Sequence, residues 1–279
     1  MVKSVLLPLL EGATTENARE YAFWFAQKHG GQIHALGLID VKSFEIPVLG
    51  TPDGFMPAVV TPPVQESEKL LEEMVALARE RLEQLGKDCG AKGVPCSTDL
   101  KIGIPGEIVT REAVAHDLVI LARAPFVGAE RRLDALVPGV IRGSIRPVLV
   151  AGRPFRSIRH ILIAYDGSIH AARALVIAAE LGALPEVRST LVNIAGSEEA
   201  GQEALAPAEA YLSHHGVNLQ KKVLAGTRAS DVICEIVTSS EADLLVMGAY
   251  GHSPIREMLF GSTTERVLSH CAASVVLQS

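Results

Sequence analysis

Two stretches of this chain, Ser4 to Ala151 and His160 to Gln278, run through the same succession of apolar runs and helical periodicities. Ser4-Val-Leu-Leu-Pro-Leu-Leu10 answers to His160-Ile-Leu-Ile-Ala-Tyr-Asp166, and Ile33 to Ile39 answers to Ser189 to Ala195. Lys101-Ile-Gly103 answers to Leu224-Ala-Gly226, and Asp117-Leu-Val-Ile-Leu121 to Asp243-Leu-Leu-Val-Met247. The final runs are Arg146 to Ala151 and Ala273 to Gln278. Short apolar runs bounded by turn residues are strands buried on both faces. Helical stretches such as Ala18 to Ala22 and Ala172 to Val176 lie between them. Strand and helix in alternation constrain the architecture, because parallel strands need a crossover and the crossover is usually a helix. The expected fold is α/β: two tandem, doubly wound, mainly parallel five-stranded sheets with helices on both faces. One occupies 1–152 and the other 153–279.

The segment joining the halves, Gly152 to Arg159, is short and should keep them in contact. Val148-Leu-Val150 and Val275-Val-Leu277 would each be an apolar open edge if left alone. They are expected to pair, making a pseudo-dimer of the halves about an approximate two-fold axis.

The repeat is not perfect. The offset between matching residues shrinks by about 30 from the Ser4/His160 pair to the Asp117/Asp243 pair, so the first half carries an insertion. Val41 to Glu66 is the expected site, with five prolines and two glycines among Phe44, Ile46, Val48, Leu49, Phe55 and Met56. Such a segment reads as an irregular loop that either gates a site or covers its own domain. An amphipathic helix is predicted over Ser67 to Gln84, with Leu70, Leu71, Met74, Leu77, Ala78 and Leu82 on one face.

Composition narrows the functions. Aromatic residues make up only 4% against 48% hydrophobic, so the core must be aliphatic. A net charge of −6 without a basic block speaks against backbone-driven nucleic-acid binding. No apolar run is long enough to insert into a membrane, and the first residues lack the charged, apolar and small-residue regions of a leader. Cys89, Cys96, Cys234 and Cys271 form no Cys-x-x-Cys pair, and a reduced, cytoplasmic protein is expected.

The chemistry concentrates near the C-terminus. The strand Asp243 to Met247 runs into Gly248-Ala-Tyr-Gly251; nine residues later come Gly261 and Ser262, then a helix over Thr264 to His270. Glycines at a strand's C-terminal end let a phosphate chain approach the backbone. A Gly-Ser at a helix start offers free N–H groups, a hydroxyl and the positive end of the helix dipole. Ser262 and Glu265 also have the spacing of a capping box, so Ser262 can equally be a helix cap. Asp166-Gly167-Ser168 ends the first strand of the same half and can equally be a tight turn with a cap.

The spacing Gly-x2-Gly-x9-Gly-[Ser/Thr] at Gly248, Gly251, Gly261 and Ser262, together with the strand ending in Asp166-Gly-Ser168, resembles the ATP-binding signature of universal stress proteins. The resemblance covers nearly the whole chain twice and implies a Rossmann-like fold. It implies that Asp166 contacts the adenosine and that Ala164 and Tyr165 line the adenine pocket. A backbone group near Val192 would read the adenine edge, and Met247 would pack on the base. Gly248, Gly251, Gly261 and Ser262 would hold ribose and phosphates with Thr263 and Thr264 in support, and Mg2+ would accompany the triphosphate. Tyr250 stands where many members of that family carry His. His252, Arg256 and Arg266 are near enough in sequence to offset phosphate charge, but His252 reads first as a solvated loop residue and exposed helix arginines need no ligand. The first half departs from the pattern, with Ala122 and Pro125 at the first two glycine positions and Leu10 or Glu11 in place of Asp166. It is expected to bind no ATP.

No Walker motif, nucleophile elbow or His-Glu-x-x-His is present, and His214-His215 reads as a helix end. The leading expectation is an ATP-binding regulatory protein of the stress-response type with one site in its second half. It would have an unidentified protein partner, and two chains would be free to form a homodimer. A slow ATPase and a nucleotide-independent scaffold are the alternatives.

Overall fold

The computed structural model describes residues 1–10, 15–40, 46–47, 59–60, 64–123, 131–152, 154–251, 262–271 and 273–279. The first half runs β1 (Ser4–Leu10), α1 (Glu16–His29), β2 (Gln32–Asp40), the two-residue strands β3 (Ile46–Pro47) and β4 (Val59–Val60), and α2 (Val64–Ala91). It continues with β5 (Cys96–Gly103), α3 (Pro105–Ala113), β6 (Leu118–Ala122), α4 (Arg131–Gly143) and β7 (Val148–Ala151). The second half runs β8 (His160–Ala164), α5 (Ile169–Gly182), β9 (Arg188–Ile194), α6 (Glu198–His214), β10 (Leu219–Leu224), α7 (Ala229–Ser239), β11 (Leu244–Gly248), α8 (Ser262–His270) and β12 (Ser274–Gln278).

The two five-stranded sheets join into one sheet of ten strands, in the order β10-β9-β8-β11-β12-β7-β6-β1-β2-β5. Every pairing within a half is parallel. The seam is antiparallel, with Val275 opposite Val150, Val276 opposite Leu149 and Leu277 opposite Val148. These are the two edges expected to meet. All six residues are at most 1% exposed, so the pairing removes two aliphatic edges from water. It also sets the C-terminal strand ends of the two halves at opposite rims of the sheet.

Period-two alternation divides the core. Val5 and Leu7 on β1, and Ile161 and Ile163 on β8, face the layer of α1, α2, α5 and α6. Leu6 and Leu162 face the layer of α3, α4, α7 and α8. Each apolar layer runs unbroken through both halves.

One carboxylate repeats its task in each half. Asp117 Oδ2 accepts the N–H groups of Lys3 and Ser4 at 2.8 and 3.0 Å, and Asp243 Oδ2 accepts those of Arg159 and His160 at 2.9 and 3.0 Å. Asp117 directly precedes β6 and caps the start of β1, and Asp243 directly precedes β11 and caps the start of β8.

Two expectations need correction. The insertion is not wholly irregular, since β3 and β4 pair as a short antiparallel ladder and residues 64–66 open α2; its other residues lie outside those described. Helix α2 starts at Val64 and reaches Ala91, beyond Ser67 to Gln84; at its C-terminal end the helical period continues, with Leu82, Leu85 and Cys89 buried on one face. Among the described residues no helix is long and apolar enough to cross a membrane.

Candidate functional site

At the C-terminal rim of the second half lies a cleft of about 320 Å³. Its floor is the ends of β8, β9 and β11, which bring Ala164, Val192, Met247 and Gly248 together. One side is the turn of Tyr165 and Asp166 with Ala171 of α5. The other is Ala249, Tyr250 and Gly251, the first turn of α7 and the first turn of α8, with Ser262, Thr263 and Thr264. Of the residues expected to contact ATP directly, the cleft gathers all but Gly261, which lies outside the described residues along with His252 and Arg256; Arg266 does not line it.

The turn after β8 is tightly specified. Asp166 Oδ1 accepts the N–H of Ser168 at 2.9 Å, and Gly167 takes a φ of +82°, which favours glycine. Ser168 then caps α5, its Oγ accepting the N–H of Ala171 at 3.2 Å. Cap and turn are thus real, and they hold the Asp166 carboxylate at the rim. Behind them Asn193 Nδ2 donates to the Tyr165 carbonyl at 2.8 Å in a buried bond. Burial, with Asp166 beside it, raises the Tyr165 pKa above its ordinary value, so the phenol stays protonated.

The glycines differ in their surroundings. A Cβ on Gly248 would lie 2.6 Å from the backbone N of Ala171 and 2.8 Å from the carbonyl carbon of His170, so this glycine lets α5 pack on β11. Among the described residues, a Cβ on Gly251 would meet only Asp166 Oδ2, at 3.0 Å. Ser262 is itself the first residue of α8, placing its N–H among the donors that a helix start leaves unpaired. Thr264 is 2% exposed and its Oγ1 donates to the Ala249 carbonyl at 2.7 Å, fixing α8 against the β11 loop.

Some predicted contacts look different in three dimensions. The Val192 carbonyl already accepts the N–H of Tyr165 at 2.9 Å, so an adenine edge would share that oxygen. The Tyr250 ring packs edge-on to His170 at 5.4 Å, and its hydroxyl is buried with no hydrogen-bond partner among the described residues. Arg266 points to α7, where it and Arg228 each bond Asp231 at 3.2 Å. His214 ends α6 and His215 caps it.

Ala171, Ile194, Ala229, Ile233 and Ala249 also line the cleft, and the sequence reading missed them. The signals were available: Ile194 shares a strand face with Val192, and Ala229 and Ile233 are one helical turn apart. Among the described lining residues only Asp166 carries a charge. No cluster of three or more His, Cys, Asp or Glu among the described residues could hold a metal ion. A cation here would therefore depend on ligand oxygens and hydroxyls.

The corresponding place in the first half is built differently. Ala122 ends β6 and is followed by Arg123, whose guanidinium donates to the carbonyls of Cys271 and Ala273 in the second half, at 2.5 and 3.1 Å. Burial lowers its pKa. The strand end that would offer glycine to a phosphate instead ties the halves together.

The expectation of four reduced thiols is also overturned. Cys234 of α7 and Cys271, just beyond α8, form a disulfide with Cα atoms 5.1 Å apart. They are 37 residues apart in sequence, a separation that no cysteine motif marks.

Residues 157–277 match the model of the Universal stress protein family. The chain is similar to a universal stress protein of Synechocystis, with 28% identity over 99% of both chains. It is also similar to one of Methanocaldococcus jannaschii, with 31% identity over 40% of this chain and 66% of that protein. A crystal structure of a universal stress protein from Archaeoglobus fulgidus superposes with a TM-score of 0.76 at 20% identity, covering 99% of this chain and 96% of that one, which shows the shared fold. With family relatives along its full length and the family model matched by the half that holds the cleft, this chain belongs to the universal stress protein family.

Proposed function

We propose that this protein is an ATP-binding regulatory protein of the stress response, with one nucleotide site in its second half. The observation that carries the reading is the cleft at the C-terminal rim, where an open α/β sheet places ligands. Its volume of about 320 Å³ suits a nucleoside. Ala164, Val192, Ile194, Ile233 and Met247 offer apolar surface to a base. The Asp166 carboxylate is an acceptor for ribose hydroxyls and repels phosphate, so it orients the ligand. Phosphates then run past Gly251, where a side chain would crowd Asp166, toward the Ser262 and Thr263 end of α8. Mg2+ would sit on the phosphates and offset their charge, with Ser262 the nearest hydroxyl in the motif.

The first half is a structural and partner-facing copy, since Arg123 occupies its strand end. The output is conveyed to a protein partner, with a homodimer of chains as one route. The setting we favour is the cytoplasm, where ATP is abundant. Titration calorimetry with ATP and Mg2+, followed by chromatography for ADP, tests the reading. One site per chain with ATP recovered intact is expected. Two equivalent sites would refute the asymmetry, steady ADP release would favour the ATPase alternative, and no heat would favour the scaffold.

A further inference from the structure

One wall of the cleft is made by α7 and α8, and these helices share a covalent tie outside the binding residues. Ile233 lines the cleft, and the next residue, Cys234, is bonded to Cys271. Helix α8 is held at its cleft end by Thr264 on the Ala249 carbonyl and by Arg266 on Asp231 of α7. Its far end is held by the disulfide and by Arg123 on the Cys271 carbonyl. The helix is only nine residues long, so a change at Cys271 acts within three turns of Ser262.

The sulfurs are unequal in access. Cys234 is partly exposed, while Cys271 is 3% exposed. The other cysteines offer a contrast within the same chain. Cys89 is fully buried, and burial with Cys96 beside it pushes its thiol up to about 12, which leaves it a poor nucleophile.

We propose that Cys234–Cys271 is a thiol–disulfide exchange site for small thiols and disulfides of the glutathione class, and that its oxidised form holds the α7–α8 wall in binding geometry. In the reducing direction a glutathione thiolate attacks Cys234 Sγ. The protein S–S bond breaks, and Cys271 leaves as a thiolate that takes a proton from water. A second glutathione thiolate attacks the glutathione sulfur of the mixed disulfide, releasing Cys234 and forming glutathione disulfide. Two electrons pass from two glutathiones to the protein, and oxidation by glutathione disulfide is the reverse. The effect on nucleotide rests on the reading of the cleft given above; the exchange chemistry does not.

The experiment uses the full chain equilibrated in glutathione buffers from fully reduced to fully oxidised, then trapped with N-ethylmaleimide and mapped by mass. Cys234 and Cys271 are expected to pass together between two alkylated thiols and one linked pair, without unfolding. Hydrogen exchange over 229–234 and 262–268 should quicken roughly fivefold or more on reduction. ATP–Mg2+ affinity should fall by roughly fivefold or more. The double variant C234S/C271S should match the reduced protein in both buffers. Full alkylation of both cysteines after oxidised glutathione would overturn the exchange site. Global unfolding on reduction, or equal hydrogen exchange in the two forms, would overturn the control of the wall. Different hydrogen exchange with no ATP binding in either form would refute the nucleotide reading and leave this one standing.

Discussion

A methyl group placed on Gly251 would sit 3.0 Å from Oδ2 of Asp166, the only charged atom group among the described residues of the cleft. The atom it meets is the end of a flexible side chain, and Gly251 is exposed and does not take a positive φ. Gly251→Ala should therefore leave folding stability within about 0.5 kcal/mol of the parent. It should still weaken ATP binding by displacing the carboxylate, by about tenfold, or ~1.4 kcal/mol. Calorimetry and thermal melts on the same sample check both halves of this expectation. Unchanged affinity would remove Asp166 and Gly251 from the site.

Gly248 should behave in the opposite way. Its added methyl would meet backbone atoms of His170 and Ala171, which move only if α5 moves. Gly248→Ala is expected to cost about 1–3 kcal/mol of stability through overpacking. Urea midpoints would measure it, and a neutral result would mean that α5 is looser on the sheet than its packing implies.

The paired strand caps give a test of the repeat. Removing the carboxylate of Asp243 leaves the N–H groups of Arg159 and His160 without their acceptor. Removing that of Asp117 does the same to Lys3 and Ser4. Asp243→Ala and Asp117→Ala should each destabilise by about 1–3 kcal/mol. Lying in different halves, the two should add nearly independently in the double variant. Strong non-additivity in denaturant unfolding would show that the seam transmits strain between halves.

Much of this was legible in the sequence because it is local or periodic. Aliphatic runs announced the strands, and the shared order of Asp117 and Asp243 announced the repeat. The apolar edges Val148 to Val150 and Val275 to Leu277 announced the seam. The cleft was legible because its polar residues sit at strand ends and helix starts, where backbone geometry needs Asp, Gly and Ser. Contacts between distant segments were hidden. Nothing near Cys234 points to Cys271, and nothing near Arg123 points to the end of α8. Asn193 looks like an interruption of a strand until its amide is seen on the Tyr165 carbonyl. A second constraint on Gly248, beyond its place in the cleft, was hidden for the same reason: the α5 backbone packed against it lies far away in sequence.

Acid should weaken this fold, and His160 shows why. The residue is 4% exposed; Nδ1 lies 3.0 Å from the Ser240 carbonyl, and Nε2 lies 2.9 Å from Thr190 Oγ1. A carbonyl can only accept, so Nδ1 carries the proton and Nε2 accepts from the threonine. Burial is the main force lowering its pKa and Arg188 adds to it, against the opposing pull of Ser240 and Asp243. Burial also lowers His116, which stacks on His34 at 5.1 Å, and His29. A depressed histidine binds its proton more weakly in the folded state than in the unfolded one. Stability is thus full above the unfolded pKa, about 6.5, and declines as pH falls below it toward the folded values. Urea unfolding at pH 8 and at pH 5.5 should show a lower midpoint in acid. His160→Asn keeps a donor for the Ser240 carbonyl but does not titrate, so it should flatten part of that slope. His29 and His116 supply the remainder. A variant whose midpoint falls with acid as steeply as the parent's would exclude His160 as a source of the acid sensitivity.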